Sequence, residues 1–66
     1  MKIKKLLYTL AEDGIMFTFS TKKIKCDIVK YTFKNDNVNY SITSDELMYY
    51  SIENLVDMIR CGLKIA

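Results

Sequence analysis

Apolar positions near the start of the chain recur at helical spacing. Ile3, Leu6, Leu7 and Leu10 follow i, i+3, i+4, i+7, which lines them along one face of a helix. The like pairs Lys4-Lys5 and Leu6-Leu7 break the alternation that a strand requires. Gly14 stands where a helix commonly ends on a left-handed residue, so a helix is predicted over residues 3–13. Glu12 and Asp13 fall at the end where the helix dipole disfavours carboxylates, a small local conflict.

The period then changes to two. Ile15, Phe17 and Phe19 alternate with Met16, Thr18 and Ser20, the mark of a strand with one apolar face. Ser20 to Lys23 is wholly polar and reads as a turn. A second strand carries Ile24, Cys26 and Ile28 in one phase, then Val29, Tyr31 and Phe33 in the other. A slip of one residue flips every later side chain, so a bulge is expected at Ile28-Val29; a strand covered on both sides is the alternative. Lys34-Asn35-Asp36-Asn37 is a hairpin loop by composition, because Asn and Asp tolerate positive φ. Val38, Tyr40 and Ile42 alternate with Asn39, Ser41 and Thr43 in a third strand whose polar side faces solvent.

Helical signals return at Thr43-Ser44-Asp45-Glu46, a capping hydroxyl followed by first-turn carboxylates. A second start lies at Ser51, followed by the stripe Ile52, Leu55, Val56 and Ile59 with Met58 beside it. Arg60 suits the last turn and Gly62 the stop beyond it. Leu47 to Tyr50 belong either to a separate helical turn or to one long helix. The expectation is a single α+β domain over residues 1–66 (αβββα): a helix, a three-stranded antiparallel meander and a helix, both helices on one face of the sheet.

Composition narrows the chemistry. At 66 residues the core is small, and self-association is one way to enlarge the buried area. With no His, Ser-His and Cys-His nucleophilic pairs and His-containing zinc sites are excluded. Cys26 and Cys61 show no CxxC spacing and read as free thiols of a reducing cytoplasm; a single Cys26–Cys61 bridge is the alternative. Glycine occurs twice, too sparsely for a phosphate-cradling loop. Glu53 and Asp57, four residues apart, lie off the apolar stripe and read as a solvated helix face. Cys61 stands beside Arg60 at a helix end, with no His to form a catalytic pair. No catalytic residue, metal site or cofactor is expected. The opening Met1-Lys2-Ile3-Lys4-Lys5-Leu6-Leu7 imitates a signal peptide, but its apolar run ends too soon at Glu12-Asp13. No stretch reaches the ~20 apolar residues of a membrane span.

Two surfaces remain as candidates for binding. The formal charge is +2, but residues 1–34 hold eight lysines against three carboxylates, while residues 35–66 hold two cations against five carboxylates. Lys22, Lys23 and Lys25 form a basic turn beside Phe17, Phe19 and Tyr31, which could track phosphates while the aromatic rings stack on bases. The competing reading makes the rings core and the lysines a solvated turn. Arg, the residue best suited to bidentate recognition of phosphate or guanine, occurs once. Leu47, Met48, Tyr49 and Tyr50 offer residue types favoured at protein interfaces, unless two or three of them close the core.

The hairpin Val29-Lys30-Tyr31-Thr32-Phe33-Lys34-Asn35-Asp36-Asn37-Val38-Asn39-Tyr40-Ser41-Ile42, followed by Ser51-Ile52-Glu53-Asn54-Leu55-Val56, resembles small anti-CRISPR proteins of phages and prophages. The resemblance spans most of the chain as a pattern of residue types. It implies a non-enzymatic inhibitor that occupies a macromolecular partner, such as a host or defence-system protein. The family members that imitate DNA are acidic, whereas this chain is slightly basic, and no residue role carries over. A small nucleic-acid-binding protein using Lys22, Lys23, Lys25 and a strand face is the alternative. A cytoplasmic protein, self-associating and without a membrane partner, is expected in either case.

Overall fold

The computed structural model describes residues 1–65. Its elements are α1 (Lys2–Glu12), β1 (Thr18–Lys25), β2 (Ile28–Asn35), β3 (Val38–Thr43), α2 (Ser44–Tyr49) and α3 (Ile52–Gly62). The strands form an antiparallel sheet in the order β1-β2-β3, the meander the alternation predicts. The helices pack on one side of it, giving the expected α+β class with one helix more than the simplest count.

Burial follows the two periods of the sequence. On α1, Ile3, Leu6 and Leu10 are buried; on α3, Leu55, Val56 and Ile59 are. The sheet contributes Phe33 from β2 and Ile42 from β3, both essentially inaccessible. Each such side chain, fully withdrawn from water, stabilises the fold by about 1.5–3 kcal/mol. The rings around this centre pack against one another. Phe17 meets Phe33 edge-on at 5.7 Å between ring centres, and Phe19 stacks on Tyr31 at 5.9 Å.

The helices end by the same device. Beyond α1, the N–H of Gly14 donates to Ala11 and that of Ile15 to Leu10, with Gly14 at φ +77°. Beyond α3, Lys64 donates to Cys61 and Ile65 to Arg60, with Lys64 at φ +59°. These paired bonds satisfy carbonyls left over at a helix end. Gly14 plays its expected part. Gly62 does not: it is the last residue of α3, and Lys64 takes the left-handed position. The absence of a side chain at Gly62 serves contact instead, because a Cβ there would lie 2.2 Å from Cδ1 of Tyr40.

Three further expectations are corrected. Ser20–Lys23 is not a turn but the middle of β1, and the chain reverses at Cys26-Asp27. The bulge lies on β1 at Ile24, between Lys23 paired with Val29 and Lys25 paired with Ile28, not at Ile28-Val29. The second hairpin loop is confined to Asp36-Asn37, with Asp36 at φ +55°.

The segment after β3 divides in two. Thr43 caps α2 reciprocally: its hydroxyl accepts from Glu46 N–H at 3.3 Å, and Glu46 Oε1 accepts from Thr43 N–H at 3.0 Å. Tyr50 then leaves helical geometry, and Ser51 caps α3 by accepting from Asn54 N–H at 3.2 Å. Where α2 replaces the continuation of β3, the N–H of Val29 donates to the Ser44 hydroxyl at 3.1 Å. That bond satisfies a strand donor left without a neighbour.

Candidate functional site

The four residues from Leu47 to Tyr50 do not act as one surface. A helix turns each successive side chain by 100°, so four consecutive residues cannot all face outward. Leu47 is 6% exposed and belongs to the core, which overturns its expected place in a binding surface. Tyr50 is half-buried and packs against that core. Met48 and Tyr49 project into solvent at 79% and 82% exposure. The ring of Tyr49 meets that of Tyr50 edge-on, 4.9 Å between centres, so the exposed ring is backed by an anchored one.

Lys2 fixes this corner. Its ammonium donates to the backbone carbonyls of Tyr50 at 2.5 Å and Met48 at 3.5 Å, joining the first turn of α1 to the end of α2. Placing a cation at a helix C-terminus also suits the dipole. Met1, fully out in solvent, adjoins the same junction through Lys2. The arrangement is an exposed thioether and phenol on a braced backbone.

The lysines are also arranged differently from the expected turn. In an antiparallel ladder, directly paired residues share a face. Lys22 pairs with Lys30 and Lys25 with Ile28, so Lys22, Lys25, Lys30 and Lys34 all lie on the sheet face away from the helices. The bulge produces this, because without the extra residue Ile24 would pair with Ile28 and Lys25 would turn to the opposite face. Lys23, paired with Val29, lies on the other side. Sequence reasoning missed Lys30 and Lys34, although their alternation with Tyr31 and Phe33 was the available signal. Among the described residues, the ion pair present is Arg60 with Asp13, at 3.3 Å; none of these lysines has a carboxylate partner. The aromatics proposed for base stacking are on the helix side: Phe17, Phe19 and Tyr31 pack against the core.

A third feature is a shallow groove of about 320 Å³ between α1 and α3, lined by Thr9, Asp13, Ile52, Glu53, Val56 and Asp57, with Arg60 across it. Arg60 donates to Asp13 through Nη2, while its buried Nε has no partner. Glu53 and Asp57 are exposed. Cys26 and Cys61 are exposed free thiols. Among the described residues, no three Cys, Asp or Glu side chains converge as a metal site would require, and no helix is long and apolar enough to cross a membrane. Tyr40 has a perturbed acidity: burial raises its phenol above the ordinary 10.0, and Glu46, Tyr50 and Cys61 add to the effect.

Comparison with protein-family models, curated protein sequences and solved structures finds no match to this chain.

Proposed function

We propose that this chain is a binding protein that acts by occupying a macromolecular partner and carries out no turnover. The Met48–Tyr49 corner is the contact surface. The observation that supports this reading is the separation of roles within four consecutive residues. Leu47 and Tyr50 hold the segment down, and Met48 and Tyr49 are left out in water. Tyr presents a large, rigid, amphipathic ring, and Met an adaptable one-chain contact, both enriched in the centres of protein interfaces. The partner on this reading is a protein, and the resemblance to small anti-CRISPR proteins supports one from a defence system. The two free thiols are consistent with a cytoplasmic setting. In the absence of partner, the same apolar corner supports self-association.

The test is substitution at all four positions with binding and melting read separately. The bait is the full chain incubated with a host lysate, and the captured protein is identified and then titrated in purified form. Tyr49→Ala should weaken that binding by more than tenfold, since truncating an anchoring aromatic residue commonly costs about 2 kcal/mol or more. Its melting temperature should barely change, because the residue is already 82% exposed. Met48→Ala should behave alike with a smaller effect. Leu47→Ala should lower stability by about 2–5 kcal/mol through the cavity it leaves. Unchanged partner affinity in both Met48→Ala and Tyr49→Ala would overturn this assignment of the surface.

A further inference from the structure

We infer that the outer face of the sheet is a site for the phosphodiester backbone of nucleic acid, read without regard to sequence. This site lies on the opposite layer from the Met48–Tyr49 corner and does not depend on it. Lys22 and Lys30 stand directly opposite each other on neighbouring strands. Like charges so placed repel across about 5 Å between Cβ atoms, which weakens the sheet. Nothing in the described structure neutralises them, and the bulge at Ile24 turns a third ammonium, Lys25, to the same side. Lys34 extends the row by four residues along β2, roughly 13 Å at strand rise.

Edge protection accounts for lysines on β1, which is an edge strand. It does not account for Lys30 and Lys34, because β2 is the central strand and both its edges are already paired. Between the lysines lie Ser20, Thr32 and Ser41, whose hydroxyls suit phosphate oxygens as acceptors. Thr32 and Ser41 bond each other at 3.1 Å, so one donor of that pair is already engaged. No carboxylate occupies a paired position on this face.

The chemistry favours a nucleic acid over an acidic protein. A protein interface needs apolar anchors at its centre, and this face has none there; the exposed Ile24 and the half-buried Ile28 are at its rim, where β1 turns into β2. Base stacking is not part of the site, since the rings of Phe19, Tyr31 and Phe33 are on the core side. What remains is a flat array of cations and hydroxyls, which contacts backbone and leaves bases unread.

The experiment is fluorescence anisotropy of a short labelled duplex of mixed sequence, titrated with the full chain across a salt series. Four phosphate contacts predict a slope of about −3.6 in log K against log salt, a loss of roughly 150-fold between 50 and 200 mM. Lys22→Gln with Lys30→Gln should reduce the slope by about 2. The same double variant should melt no lower than the parent, because it relieves a repulsion. Lys4→Gln with Lys5→Gln, an equal change of net charge on α1, should leave slope and affinity unchanged. The inference is overturned if no binding is seen at low salt, or if the α1 variant loses as much as the sheet variant. It is also overturned if poly-glutamate competes as well per charge as the duplex. Binding that disappears in Tyr49→Ala but survives in the lysine variant would equally refute it.

Discussion

Gly62→Ala sets two effects of known sign against each other. Within a helix, Ala is favoured over Gly by about 0.8–1.0 kcal/mol, so propensity alone predicts a more stable protein. Packing predicts the reverse. The added methyl would sit 2.2, 2.4 and 2.8 Å from three ring carbons of Tyr40, where ordinary contact begins at 3.4 Å. The ring must therefore retreat by about 1.2 Å, the difference between 3.4 and 2.2 Å. Its movement is restricted, since the half-buried ring packs against the core beside Phe33, its partner across the sheet. Overpacking of this kind costs about 1–3 kcal/mol, and more where the neighbour cannot move. All three close atoms lie at the base and side of the ring, not at a flexible tip, which places the clash in the upper part of that range, about 2–3 kcal/mol; it outweighs propensity, with a net loss of roughly 1–2 kcal/mol. That is a large share of the roughly 3–10 kcal/mol expected for a domain of this size. Thermal unfolding followed by circular dichroism should show a fall of roughly 5–15 °C, at about 4–8 °C per kcal/mol. In a Tyr40→Leu background, where the ring is gone, the same Gly62→Ala change should cost little or become stabilising. A melting temperature that is unchanged or raised in the parent background would refute the reasoning. So would an equal loss in both backgrounds.

Lys64→Gly should raise stability by about 0.5–1 kcal/mol, because the left-handed backbone at Lys64 costs a side-chain-bearing residue energy that glycine does not incur; Lys64→Ala, which removes the charge but keeps the Cβ, should give no such gain in the same urea titration. Tyr40 contributes stability that is fully present below the unfolded phenol's pKa of about 10 and is lost as pH rises through its higher folded value. Tyr40→Phe should accordingly flatten the alkaline limb of stability against pH, and a limb of unchanged steepness would count against the assignment. Light scattering coupled to size exclusion at micromolar concentration should give a mass above 7.7 kDa, insensitive to reductant and reduced by Tyr49→Ala; a mass of 7.7 kDa throughout would remove self-association from the picture.

The parts of the fold legible in the sequence are those where burial enforces a period. Ile3, Leu6 and Leu10 show α1 because one face must be apolar, and Val38, Tyr40 and Ile42 show β3 because one side of the sheet is covered. Thr43 and Ser51 are legible because an N-cap needs a side-chain acceptor at one position. β1 is legible only at its start, where Phe19 continues the alternation of Ile15 and Phe17; the rest of it is illegible for the complementary reason. Apart from Phe19 it is exposed throughout, so no burial pattern marks it, and backbone pairing with β2 alone makes Ser20 to Lys23 a strand. The face of Lys25 depends on where the bulge falls, a property of two strands together. Lys64 carries no local signal for positive φ, while the nearby Gly62 offers a false one. Within the candidate site, the separation of Leu47 from Met48 and Tyr49 required knowing that the helix breaks at Tyr50. The residue types pointed to an interface, but the phase of a short helix decides which of them reach it.

The contact between α1 and α3 sets an order in which the molecule can form. Asp13 and Arg60 meet across 47 residues of chain, and the apolar stripes of the two helices share one core. At 11 residues, α1 is shorter than the ~12–15 at which an isolated helix becomes even marginally stable in water. The hairpins, by contrast, join neighbours in sequence and close quickly. The meander can therefore pair while α1 remains a fluctuating apolar segment, until α3 packs against it. Packing of these two helices, a contact of large sequence separation, is what closes Ile3, Leu6 and Leu10 off from other chains.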